Sequence, residues 1–279
     1  MPELPEVETV AADLRATVTG RRIAAVPLAG SKVIRHPGPE ALVLLLPGAV
    51  VEEVQRRGKY IFLRLGGDGP AAGQDLVVHL GMTGHLLVCE AAAPCAPHTH
   101  LRALLDDGRE LRYDDARRFG RVLLGERAAL RALGVLPALG VEPLDAEFTA
   151  AHLDTLLRRT TRTVKAALLD QRGVAGLGNI YVDEVCHRAA VRPTRRCHRL
   201  TRRERAALHA AVVSVLRTAI RNRGSSVDDY RDLWDARGTH QEELRVYGRG
   251  GQPCLACGAA LRRTVVAGRG TTYCATCQR

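Results

Sequence analysis

The pattern of apolar and polar positions changes character twice along the chain. Residues 5–19 carry helical periodicity, with Pro5 and Glu6 in the first turn and Gly20 just past the end. Pro and an acidic residue suit a helix start, and glycine suits its stop. From residue 23 the pattern shortens to strand-like runs at 23–28, 50–55, 60–65, 76–80, 101–105, 110–113 and 121–124. Several are divided by Gly, Asp-Asp-Gly or Gly-Gly-Asp turns, which predicts a mostly β domain ending near residue 133. Residues 134–144 hold two prolines and two glycines and read as a linker. Helical periodicity then returns at 147–158, 162–169, 182–187 and 201–222, the last opened by a Thr201-x-x-Glu204 capping box. No internal repeat is present, and the pattern predicts two domains followed by a cysteine-rich tail.

Charge narrows the partners. Forty-one Lys and Arg against thirty Asp and Glu leave a formal charge of +11. Between residues 158 and 223 there are sixteen basic residues and four acidic ones, so this stretch alone exceeds the surplus of the whole chain. A solvated helix face mixes its signs, whereas a single-sign belt of this length predicts a polyanion-binding face. The longest apolar run, 41–51, is broken by Pro47-Gly48 and is too short to span a bilayer. The chain start is acidic and has no apolar signal core, which predicts a cytoplasmic protein.

The eight cysteines fall into two sets. Cys254-x2-Cys257 and Cys274-x2-Cys277 match a four-thiolate zinc ribbon closing a two-hairpin module, with one structural Zn2+. Disulfides are the alternative, and they fit a cytoplasmic chain poorly. Cys89, Cys95, Cys186 and Cys197 lack such spacing; Cys95 with His98 and His100 would make a second metal site only with a fourth ligand that is not evident.

Three further groups carry candidate chemistry. If Met1 is removed, Pro2 becomes a free secondary amine, and an α-amino group titrates near 7.7–8.0, well below lysine. Such an amine attacks a sugar C1′ to give an iminium ion, which acidifies the adjacent carbon and drives elimination of phosphate. Glu3 and Glu6, one helical turn apart, would serve it as acid and base. The same run is also a good helix start, and the segment alone does not separate the two. Gly173-x-x-Gly176-x-Gly178-Asn179 lies in the basic belt with no preceding strand, and reads as a phosphodiester grip rather than a nucleotide fingerprint. Met82, in a Gly81–Gly84 turn, and Phe119, beside Arg117, are scarce residue types at loop positions, as a wedge entering a base stack requires.

Together these features resemble the bacterial formamidopyrimidine-DNA glycosylases, the 8-oxoguanine-removing branch of the helix–two-turn–helix glycosylases. The resemblance spans the chain: Pro2-Glu-Leu-Pro-Glu-Val-Glu-Thr9, Arg56-Arg-Gly-Lys59-Tyr60, His79-Leu-Gly-Met82, Arg117-Arg-Phe119-Gly120, Gly176-Leu-Gly-Asn179-Ile-Tyr181 and Val246-Tyr-Gly-Arg249 before the cysteines. It implies an α+β fold: an N-terminal β-sandwich flanked by helices over 1–133, a linker over 134–146, and a helix–two-turn–helix domain with a lesion-capping loop over 147–245. A β-hairpin zinc ribbon follows over 246–279. It implies a monomeric glycosylase and abasic-site lyase acting on duplex DNA with oxidised bases or abasic sites, through a Pro2 Schiff base and β,δ-elimination. Glu3 would protonate the opening sugar, Glu6 would support the pocket and Lys59 would meet the damaged nucleotide or its phosphate. Met82, Arg117 and Phe119 would fill the gap left by the flipped nucleotide, and Lys165, Asn179 and Arg269 would hold the flanking phosphates.

The chain departs from the usual pattern at 225–244, where Trp234, Arg237, Gly238, Thr239 and His240 replace the more common aromatic-Gln arrangement. The alternatives are an endonuclease-VIII-like enzyme for oxidised pyrimidines and a non-catalytic zinc-ribbon DNA-binding protein. Leu4 and the intact Met82/Arg117/Phe119 set argue against the first, and the free-amine candidate with its carboxylates argues against the second.

Overall fold

Helix α1 (Leu4–Val18) buries Leu4, Val7, Val10, Ala11, Leu14 and Val18, one continuous stripe at three- and four-residue steps. The computed structural model to which it belongs describes residues 1–30, 32–227 and 229–279. By their contacts these residues form two units, Met1–Ala138 with Arg223–Thr239, and Leu139–Asn222 with His240–Arg279.

In the first unit α1 is followed by β1 (Ile23–Ala29), β2 (Ile34–His36), α2 (Pro39–Leu45), β3 (Val50–Arg57), β4 (Tyr60–Gly66), β5 (Asp75–His79), β6 (Gly84–Glu90), β7 (Thr99–Leu105), β8 (Arg109–Asp115), β9 (Arg121–Gly125) and α3 (Arg127–Ala132). The strands make a four-stranded sheet, β1-β7-β8-β6, and a five-stranded sheet, β2-β9-β5-β4-β3. Period-two alternation sends Ile61, Leu63 and Leu65 of one sheet, and Leu101, Ala103 and Leu105 of the other, into a single core shared with α1. The predicted strands are all present. The patterning missed β2, β6, α2 and α3, each short or seated directly against a turn that masked its period.

The second unit contains α4 (Ala150–Arg158), α5 (Val164–Leu168), α6 (Asn179–Arg188), α7 (Arg202–Arg221), and the hairpin β10 (Arg262–Val266) with β11 (Arg269–Tyr273). The expected capping box starts α7: Glu204 N–H donates to Thr201 Oγ1 at 3.2 Å, and Thr201 N–H to Glu204 Oε2 at 2.7 Å. Helix α7 packs on α4 and α6, burying Leu208, Val212, Val215 and Leu216. Helix α6 packs on β11, so the basic belt and the ribbon share one scaffold. Among the described residues no helix is long and apolar enough to cross a membrane.

Candidate active site and nucleic-acid interface

The start of α1 is buried although it is charged. Pro2 is enclosed, and Glu3 and Glu6 are 2% and 1% exposed. Both Glu6 oxygens hold backbone donors: Oε2 accepts from Glu3 N–H at 2.8 Å and Oε1 from Ser225 N–H at 2.7 Å. Tyr230 adds its hydroxyl to the Glu6 carbonyl at 3.4 Å. Gly224 is required at this junction, because its φ is +77° and a Cβ would lie 2.9 Å from the Glu6 side chain. The structure thus brings Pro2, Glu3 and Glu6 together and clamps residues 224–226 onto them.

Lys59 sits in the two-residue turn between β3 and β4, 7% exposed. His79, at the end of β5, lies beside it: burial pushes the imidazole down to about 4, with the Lys59 and Arg121 charges acting in the same direction. Neutral His79 accepts the Gly81 N–H on Nδ1 at 3.1 Å, and its ring is 4.7 Å from that of Tyr60. Sequence reasoning quoted His79 only inside a longer motif. Its signal was a histidine ending a buried apolar strand directly before a glycine turn.

That turn carries Met82, and it is pressed against the turn carrying Arg117 and Phe119. A Cβ on Gly81 would come within 2.5 Å of Gly120 N and 2.6 Å of Phe119 C, so only glycine permits the approach. Asp115 fastens the two turns, accepting from Thr83 Oγ1 at 2.6 Å, Gly120 N–H at 2.7 Å and Arg117 N–H at 3.2 Å. Phe119 remains 53% exposed, with the Arg117 guanidinium 4.7 Å from its ring centre.

In the second unit Lys165 is fully buried. Its ammonium pairs with Asp183 Oδ1 at 2.7 Å and donates to the Gly270 carbonyl at 3.0 Å. Asn179, first residue of α6, donates to the same carbonyl at 3.1 Å, while its Oδ1 is buried and has no partner among the described residues. Arg269 is exposed next to Gly270. Lys165, Asn179 and Arg269 therefore converge on one hairpin turn. The glycine loop before α6 is stapled by Gln171, which accepts from Gly176 N–H at 2.9 Å and donates to the Leu177 carbonyl at 2.7 Å.

Two carboxylates on α6 were read only as minor acidity within the basic belt. Asp183 also accepts from Thr272 N–H at 2.9 Å, and burial raises its carboxyl to about 6 against the lowering pull of Lys165. Glu184 accepts three consecutive backbone donors, Arg245, Val246 and Tyr247, at 2.8–2.9 Å. They pin both approaches to the ribbon.

The sulfurs of Cys254, Cys257, Cys274 and Cys277 all lie within 4.8 Å of one another, with Cys257–Cys274 at 3.5 Å and Cys254–Cys277 at 3.9 Å. A tetrahedral zinc with bonds of about 2.3 Å separates its sulfurs by about 3.8 Å, so the donor set fits. Burial pushes the Cys274 thiol up, but the Cys277 and Thr276 N–H groups and the Cys257 thiol outweigh it and bring it down to about 7, favouring the ligating thiolate. His187 Nε2 lies 3.7 Å from Cys254 Sγ. Among the described residues no metal-binding group includes Cys95, His98 and His100; His100 is instead bonded to the Asp115 carbonyl at 2.9 Å.

A strand-rich unit with a buried Pro-Glu start, a helical unit with a glycine loop ahead of α6 and a four-thiolate ribbon make up a helix–two-turn–helix architecture. Family models match in the same order: the formamidopyrimidine-DNA glycosylase N-terminal domain at 1–122, its H2TH domain at 139–231, and the zinc finger found in FPG and IleRS at 251–279. The formamidopyrimidine-DNA glycosylase of Desulforamulus reducens is 41% identical over 100% of this chain and 99% of its own length. That of Roseiflexus is 45% identical over 100% of both chains. The MutM (Fpg) structure from Thermus thermophilus superposes with a TM-score of 0.87 at 40% identity, covering 99% of this chain and 98% of that one. Lactococcus lactis Fpg with abasic-site DNA gives 0.89 at 35%, covering 99% of each. The chain belongs to the formamidopyrimidine-DNA glycosylase family.

Proposed function

We propose that this chain is a base-excision-repair DNA glycosylase and abasic-site lyase that removes oxidised purines from duplex DNA in the cytoplasm. The observation that carries this reading is the enclosed Pro2-Glu3 pair at the head of α1, held by a Glu6 whose two oxygens are fixed by backbone donors. Once Met1 is removed, the Pro2 nitrogen attacks C1′ of the damaged nucleotide, the C1′–base bond breaks, and the base leaves with a proton. Glu3 protonates the opening sugar oxygen and assists the later proton transfers. The resulting iminium acidifies C2′–H, whose loss expels the 3′ phosphate by β-elimination, and loss of the C4′ proton from the conjugated iminium then expels the 5′ phosphate by δ-elimination. Hydrolysis then frees Pro2. Glu6 acts as a positioning residue, and Lys59, with His79 beside it, meets the nucleotide or its phosphate.

Extruding a nucleotide costs a few kcal/mol, which inserted side chains offset. Met82, Arg117 and Phe119 take that part, Arg117 addressing the orphaned base. Asn179 and Arg269 hold the flanking phosphates. In this reading Lys165 acts on them through the Gly270 carbonyl it fixes, because its own charge is buried against Asp183. Zinc is structural: it makes the ribbon rigid enough to present Arg269.

The Lactococcus protein has been captured with DNA containing Fapy-dG, an abasic site and an oxidised pyrimidine, which supports the same substrate class here with some breadth. Turnover on duplexes carrying 8-oxoguanine, ring-opened purine, thymine glycol or an abasic site tests the reading. Both purine lesions are expected to turn over faster than thymine glycol. A preference for thymine glycol would select the pyrimidine reading, and no turnover on any duplex would select the non-catalytic one.

A further inference from the structure

Residues Arg223–Thr239 follow α7 in the chain yet group by their contacts with the β-rich unit. The side chain that fastens their start is Arg223. Its guanidinium lies between two carboxylates, with Nη2 2.5 Å from Asp13 Oδ2 and 2.6 Å from Asp232 Oδ2. Nη1 reaches Asp13 Oδ1 at 3.2 Å, and Nε reaches Asp232 Oδ2 at 3.0 Å. Asp13 belongs to α1, two turns beyond Glu6, so the bond ties the segment to the helix that begins with the nucleophile.

The tie continues inward. The other Asp232 oxygen accepts from Trp234 N–H at 3.0 Å and Ala236 N–H at 2.9 Å, closing a tight turn. Arg237 donates from there to the Ser226 carbonyl at 3.0 Å, and Gly238 N–H to Ser226 Oγ at 3.0 Å. Ser226 Oγ in turn donates to the Tyr230 carbonyl at 2.9 Å. Ser225, whose N–H is held by Glu6, is 3% exposed, and its Oγ has no partner among the described residues. A buried unpaired hydroxyl in an otherwise satisfied network is costly unless a ligand completes it.

We propose that Arg223 is a positioning residue for base discrimination, latching the 223–239 segment to α1 so that Ser225 stands fixed beside Glu6, where it meets the damaged base. The proposal rests on the glycosylase reading and deepens it. Excision of an intact lesion needs the base to be read. Cleavage at an abasic site, which has no base, uses the same Pro2 chemistry without that step. Loss of the latch therefore separates two activities that share one nucleophile. The bidentate fork matters as well as the charge, since a lysine ammonium cannot span two carboxylates in the same plane.

The test compares the full-length protein with Arg223→Ala, Arg223→Lys and Asp13→Asn on 8-oxoguanine and abasic duplexes. Arg223→Ala is expected to lower kcat for 8-oxoguanine about tenfold or more, the scale of a misplaced binding group, with abasic cleavage changed less than about twofold. Arg223→Lys is expected to fall between, and Asp13→Asn to move the same ratio in the same direction. Equal loss of both activities in the conservative variants, or an unchanged ratio in all three, overturns the latch. Wild-type protein that fails on abasic DNA overturns the glycosylase reading itself, and the latch with it.

Discussion

The Pro2 end of α1 and the ribbon's junction with α6 use the same device on very different foundations. In each, buried carboxylates on a helix capture backbone N–H groups from a segment far away in sequence: Glu6 takes Ser225, Glu184 takes Arg245 to Tyr247, and Asp183 takes Thr272. Behind Glu6 stands a core built from both sheets and α1. The ribbon's own cluster is Val246, Cys254, Leu261 and Cys274, with Ala259 and Cys277 packed against it. So small a core cannot offset the conformational entropy of ordering the hairpin. The carboxylates refine geometry in the first region, whereas in the second they act with the metal to make the geometry exist.

Metal removal is expected to break the contrast open most visibly. Chelation, or Cys254→Ser, should erase amide-exchange protection over 262–273 and weaken lesion-duplex binding by at least about tenfold, since the free energy of a structural zinc is folding free energy. Protection across β3, β4 and β5 should persist. A ribbon that keeps its protection without zinc would show that its polar pins suffice alone. The smaller effect is a titration confined to the other region. His79 is held near 4 by burial and by Lys59 and Arg121, against about 6.5 when unfolded. As pH falls below 6.5 the unfolded chain gains a proton that the folded chain refuses, so stability is lost progressively down to about 4. The loss should reach at most about 3 kcal/mol, and His79→Gln should not show it, so the difference between the two proteins' stability curves should change by that amount between about pH 6.5 and 4. Parallel curves would mean that His79 is not held neutral.

What was legible in the sequence was local. The α1 stripe, the α7 capping box and the β3–β4 hairpin repeat at periods of a few residues, and the Cys-x2-Cys pairs state their own geometry. The candidate residues at 2–6, 59, 82 and 117–119 were found by motif and scarcity, without knowledge of what braces them. Asp115, which joins the turns carrying Met82 and Phe119, gave no such signal, because it acts on backbone N–H groups and on a threonine hydroxyl 32 positions away, and His79 stood out only as part of a longer motif. The resemblance gives Lys165 a place on the flanking phosphates, whereas its burial against Asp183, 18 positions on, is not visible in the sequence. Arg223 meets Asp13 across 210 positions, a pairing that no window-based pattern contains.

The central claim is a covalent bond between Pro2 and the sugar of the damaged nucleotide. Borohydride reduction of the protein mixed with 8-oxoguanine duplex, followed by proteolysis and mass spectrometry, tests it directly. A trapped adduct is expected on the N-terminal peptide, attached at Pro2 with Met1 absent. An adduct on Lys59 or Lys165, or efficient strand cleavage by protein that retains Met1, would contradict it.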